Sequence, residues 1–152
     1  MFGQSNNEPQ LIVPGLAGFY AKMEPIAYTI TRVVFGIIMI VHGWPKMMVA
    51  GPDRVGAAFV NNYGLPSWFA YLAILFEVFG GAALVVGLFT RFFAAALAIE
   101  LLIAMFAAHW AKGFSVGAGG YEYVMFLGFV SFYIAIRGGG PYSADAKIGK
   151  HL

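Results

Sequence analysis

Arg32, Glu77 and Glu100 each stand inside a long apolar run, where an unpartnered charge costs about 3 kcal/mol or more. A guanidinium can bridge two carboxylates with paired hydrogen bonds, so these three residues suggest one buried network. Such a network either fixes the register of its helices, or relays protons, or forms the polar floor of a ligand pocket. A second group, His42, Lys46, His109, Lys112 and Glu122, falls nearer one membrane face. Of these, His42, Lys46, His109 and Glu122 are the candidate lining of a quinone-type pocket, in which a histidine and an ammonium polarise a carbonyl. Histidines can also ligate haem, or simply sit in the interface beside tryptophans such as Trp44 and Trp110. Haem is disfavoured because His109 lies nine residues past Glu100, on roughly the opposite helix face. The chain has no cysteine, which removes thiolate metal sites, redox dithiols and cysteine nucleophiles. No metal site, phosphate loop or nucleophile elbow is visible, and no catalytic residue can be assigned.

Helical spacing places these charges on contact faces. Gly36, Met39, Gly43 and Lys46 return to within about 40° of Arg32. Ala70, Ala73, Gly80 and Gly81 share a stripe with Glu77, and Ala96, Ala104, Ala107 and Ala111 share one with Glu100. Small residues mark the faces at which membrane helices approach one another.

The elements that must position these residues follow from composition. Of 152 residues 61% are hydrophobic and 11% charged, and mean hydropathy is +0.78. A chain this small cannot bury so much apolar surface in water, so lipid is its solvent. That excludes a soluble enzyme, a disordered segment and a secreted disulfide scaffold. A net charge of +2 offers no footprint for nucleic acid. The expected fold is an all-α membrane protein, a bundle of four transmembrane helices over residues 25–49, 66–88, 92–110 and 121–136. This divides the chain into a polar and interfacial segment (1–24), the transmembrane domain (25–137) and a cytoplasmic tail (138–152). The first segment begins polar and acidic over residues 4–10, which is not the pattern of a cleavable signal peptide. Residues 11–23 are apolar but interrupted by Pro14 and Gly15, with Phe19 and Tyr20 expected at headgroup depth. Lys22, Arg91, Arg137, Lys147 and Lys150 fall on one side, against Lys46, Arg54 and Lys112 on the other, so both termini are expected in the cytoplasm. The segments 50–65 and 111–120 are then outward loops. His42, Lys46 and Gly51 are echoed by His109, Lys112 and Gly117, a short match that hints at two related hairpins.

In order and spacing the chain resembles the DoxX family of small four-helix membrane proteins. The resemblance is carried by Arg32, Gly36, His42, Gly43 and Lys46, then by Glu77, Gly80, Gly81, Leu84 and the run Gly87-Leu88-Phe89-Thr90-Arg91. It continues through His109 and Gly120-Tyr121-Glu122 to Gly140-Pro141-Tyr142-Ser143 and Asp145. Glu100 and the N-terminal extension are not part of it. The resemblance implies a bacterial or archaeal inner-membrane protein. Some relatives serve as membrane subunits of thiosulfate:quinone oxidoreductase, and others are linked to oxidative-stress complexes.

Three functions follow as expectations. The leading one is an accessory or anchor subunit whose partners are the bilayer and other membrane subunits, with a second copy of the chain as a further candidate. The alternative is a quinone-interacting subunit of an oxidoreductase, the only enzymatic role in view, with quinone as its ligand and Glu77 handling protons. The third is a small transporter or proton pathway lined by Arg32, Glu77 and Glu100.

Overall fold

Long runs of Ile, Val, Leu, Phe and Ala with few breakers give helices throughout the described part of the chain. A computed structural model describes residues 11–149; the polar stretch 4–10 and Lys150 lie outside it. Helix α1 (Ala17–Pro45) continues into one π-helical turn, Lys46–Ala50. Helix α2 (Pro52–Tyr63) follows. A second rod joins α3 (Ser67–Leu75), a π turn at Phe76–Gly80 and α4 (Gly81–Val86). A third joins α5 (Thr90–Ala104), a π turn at Met105–His109 and a 3-10 turn, Trp110–Lys112. Helix α6 (Glu122–Arg137) and the short α7 (Ala144–Ile148) complete it.

Among the described residues three stretches are long and apolar enough to cross a membrane: Pro14–Ala50, Ser67–Val86 and Thr90–Lys112. The helix expected to be the fourth span is α6, and its 16 residues fall short of that length, so a fourth span is not shown. At 1.5 Å per residue it is about 24 Å long, against a hydrocarbon core of about 30 Å. The chain is thus an all-α membrane protein in which three helices have spanning length and α6 packs along α5.

Two segments differ from the expectation. The first helix starts at Ala17 and carries Pro25 inside it rather than at its start. The proline forfeits the bond to the carbonyl of Ala21, an exposed residue, and its ring crowds that carbonyl. The segment 50–65 is not an irregular loop, because α2 fills it. Its signals are local: Pro52 in the first turn, Asp53 beside it at the positive end of the helix dipole, and Gly64 closing it in the left-handed conformation. Tyr71 on α3 donates a hydrogen bond to Asp53 and ties α2 down.

Glycines bring α1 against the second rod. A Cβ on Gly36 would lie 2.6 Å from the Gly81 carbonyl oxygen, and one on Gly81 would lie 2.7 Å from that of Gly36. The two backbones touch, as membrane helices do where small residues face each other.

Beyond α6 the chain folds back over the turn between α4 and α5. Asp145 accepts hydrogen bonds from the backbone N–H groups of Phe89 (2.8 Å) and Thr90 (3.0 Å), while its own N–H donates to the Gly87 carbonyl (2.9 Å). The carboxylate thus satisfies donors that the start of α5 leaves open, and holds Phe89 at a φ of 48°, which a bulky residue rarely adopts. Arg91 closes the same end by donating to the carbonyls of Ala135 (3.3 Å) and Ile136 (2.6 Å) in the last turn of α6. Residues 138–149 are therefore docked on the bundle. Asp145→Ala is expected to cost about 1–2 kcal/mol, the worth of a good helix N-cap. Thermal unfolding in detergent would read this as a lower Tm, with Lys147→Ala, an exposed change on the same helix, as the unaffected control.

Candidate functional site

The antiparallel register of α1 and the second rod decides which charges meet. Gly36 faces Gly81, and further along α1 Gly43 faces Glu77. A Cβ on Gly43 would lie 2.7 Å from Glu77 Cβ and 2.8 Å from Val78 Cγ2, so only glycine leaves room for the carboxylate there. One turn on, Lys46 opens the π turn at the end of α1. Helical side chains lean toward the N-terminus of their helix, so the Lys46 ammonium dips back to the level of Glu77. Its Nζ lies 2.5 Å from Glu77 Oε1 and 2.7 Å from Oε2. The Glu77 side chain is 6% exposed and that of Lys46 33% exposed. Glu77 itself sits in the second π turn, a local rewinding that re-aims side chains and recurs at functional sites.

Glu100 approaches the same point from α5. It is buried, and α5 packs against the π turn that carries Glu77. Its Oε2 has no hydrogen-bond partner among the described residues. Glu77 and Glu100 each stand ten residues into their rods, which begin at Ser67 and Thr90. At 1.5 Å per residue that is about 15 Å, half the hydrocarbon thickness.

Arg32 is not part of this cluster. It lies eleven residues before Gly43, about 16 Å back along α1, where the register sets it opposite the end of α4. Its guanidinium donates to the carbonyls of Leu84, of Val85 (3.2 Å) and of Tyr142 (2.8 Å). The carbonyls ending a helix lack partners within it and carry the negative end of its dipole, which makes them a natural seat for a cation. The expected arginine bridge is therefore not formed: Lys46 pairs with Glu77, and Arg32 binds α4 to the returning C-terminal segment.

The four candidate pocket residues each have local partners. His42 is exposed, its Nδ1 2.9 Å from the Ile38 carbonyl of its own helix and its ring centroid 6.2 Å from that of Tyr123. His109 Nδ1 is 2.8 Å from the Gly119 carbonyl, and Glu122 Oε2 accepts from the Val116 N–H at 3.0 Å. Lys46 is turned toward Glu77. An apolar crease lies elsewhere, between α5 and α6. It encloses about 440 Å³ lined by apolar side chains, among them Leu102, Met105, Met125 and Phe129, with Gly128 at its edge. Among the described residues no group of three His, Asp or Glu side chains is placed to hold a metal ion.

The family model DoxX matches residues 27–110, which take in Lys46, Glu77 and Glu100. The chain belongs to the DoxX family. It is 30% identical over 134 residues to the "Inner membrane protein YqjF" of Escherichia coli (strain K12), covering 85% of this chain and 97% of that protein. A shorter similarity, 37% over 70 residues, links it to the "Putative oxidoreductase CatD" of Bacillus subtilis (strain 168), with 46% of this chain and 50% of that one covered. No solved structure matches. As a DoxX protein the chain is a membrane protein, in keeping with its three spanning-length helices.

Proposed function

We propose that this DoxX protein is an integral subunit of a larger assembly in the bacterial inner membrane, docked through the face formed by α5 and α6. The observation that carries this reading is the short α6 beside an open apolar crease. A helix about 24 Å long does not match the hydrocarbon thickness, and one relief for such a mismatch is association with another membrane helix. The crease edged by Gly128 would admit side chains of such a partner, and the exposed Phe126, Phe129 and Phe132 would flank it. Both termini would be cytoplasmic, since with Lys46 bound to Glu77 the loop cations stand five against two.

Because the chain has no cysteine, single cysteines report cleanly. Phe129→Cys, treated with a membrane-permeant bifunctional thiol reagent in native membranes, should give one defined heterologous product. Ile37→Cys, on the exposed face of α1, should not. If Phe129→Cys gives no product and the protein purifies alone in mild detergent, the subunit reading fails. The quinone-linked reading is supported by the buried Lys46–Glu77–Glu100 cluster and by the similarity to a protein named as an oxidoreductase. It requires an isoprenoid quinone to co-extract with the purified protein, and to be lost in His42→Ala without loss of the fold.

A further inference from the structure

Two carboxyl groups and one ammonium meet in the middle of the bundle, and their charges do not cancel if all are ionised. Lys46 contributes one positive charge, while Glu77 and Glu100 contribute two negative ones. The other elements around the cluster supply no compensation. From α1 the only other titratable side chain nearby is His42, which is exposed and bonded to its own helix. Helix α6 buries Val124, Leu127, Ser131 and Ile134, none of them charged, and the buried residues of α2 are Val55 and Gly56. Arg32 is held at the end of α4. A net negative charge buried at this depth is costly, and two carboxylates side by side repel, whereas a carboxyl–carboxylate pair sharing one proton does neither.

We propose that Glu77 and Glu100 form a membrane-embedded proton-exchange site, with one proton held on the carboxyl pair and the Lys46 ammonium as its fixed counter-charge. The loaded site is neutral: an ammonium, the Glu77 carboxylate and the Glu100 carboxylic acid. Release of the proton leaves Glu100 as a carboxylate and the site at −1, with no electron transferred. Glu100 Oε2, buried and without a hydrogen-bond partner among the described residues, is the position assigned to the acid proton, which leaves the Lys46–Glu77 pair intact. Exchange is assigned to the α2 end of the bundle, where a third of the Lys46 side chain is exposed. The site does not depend on what docks against α5 and α6.

Infrared difference spectroscopy of the purified protein reads the carboxylic-acid C=O band directly. At neutral pH the wild type should show a buried acid band that shifts in D2O and disappears reversibly as pH is raised, with the helical signal unchanged. Glu100→Gln should lose the band. Lys46→Met should roughly double it, because without the ammonium both carboxyls must be protonated for the site to remain neutral. The proposal is overturned if no buried acid band is present at neutral pH, or if the band survives Glu100→Gln. It is equally overturned if the band fails to respond to D2O and pH while the fold is retained, since the pair would then be a static structural feature. Should Lys46→Met fail to fold, the wild-type titration and the near-isosteric Glu100→Gln decide the matter alone.

Discussion

Arg32→Met is expected to lower the stability of the bundle by about 3 kcal/mol, the net cost of leaving several buried carbonyls without their donor. The methionine fills similar volume but offers no donor. The Leu84, Val85 and Tyr142 carbonyls would then lose their shared partner in a region where Arg32 is 1% exposed. Each buried acceptor left unsatisfied costs about 1–3 kcal/mol, partly offset by relief of the arginine's own desolvation. The effect should be greatest where the C-terminal segment meets α4. Thermal unfolding in detergent should show the loss, and protease cleavage within residues 138–149 should appear before global unfolding. A Tm equal to that of the wild type would mean the three carbonyls find other partners.

Gly36→Leu should be at least as damaging, for a steric reason. The first added carbon would sit 2.6 Å from the Gly81 carbonyl oxygen, 3.0 Å from Val85 Cγ2 and 3.1 Å from Val85 N. Two of these obstacles are backbone, so no rotamer relieves them, and the rods must move apart by most of an ångström to reach ordinary contact. That separation would also lift Gly43 from Glu77 and pull the Lys46 ammonium from its carboxylate, so the cost should exceed the 1–3 kcal/mol typical of overpacking. Folded monomer recovered by size exclusion should fall sharply. The exposed substitution Ile37→Leu on the adjacent face should leave it unchanged.

Hydropathy located the helical rods well, because lipid imposes a length and polarity on each span that the residues must show. The expected 66–88 and 92–110 correspond to Ser67–Val86 and Thr90–Lys112. What it could not settle was how much of α6 crosses, since 16 residues fall below the spanning length and the flanking glycines end the helix on both sides. Helix α2 reads as a loop by hydropathy because its 12 residues are too few to span, and only its end signals, Pro52, Asp53 and Gly64, mark it as a helix.

The site was half visible. Helical spacing put Arg32, Gly36, Gly43 and Lys46 on one stripe and aimed Glu77 and Glu100 inward, and all of them except Lys46 are buried. Which cation meets the carboxylates is a matter of register between antiparallel helices, and register is set by the Gly36–Gly81 contact, which no single helix reveals. The π turns at Lys46 and Glu77 also alter the pitch on which the spacing was counted. Asp145 and the backbone it caps were beyond reach for the same reason, being more than fifty residues apart along the chain.

The docking of Tyr142 onto Arg32 has a bearing on how the protein is made. The two are separated by 110 residues. At a synthesis rate of about 5–20 residues per second, the first helix would wait about 5–20 s before that carbonyl exists. During this time the arginine lies in a nascent chain that has already entered the membrane, held only by what water, lipid phosphate or the insertion machinery can offer. Assembly therefore does not finish helix by helix in the order of emergence. Its closing step brings a segment made 110 residues later back to a helix already inserted.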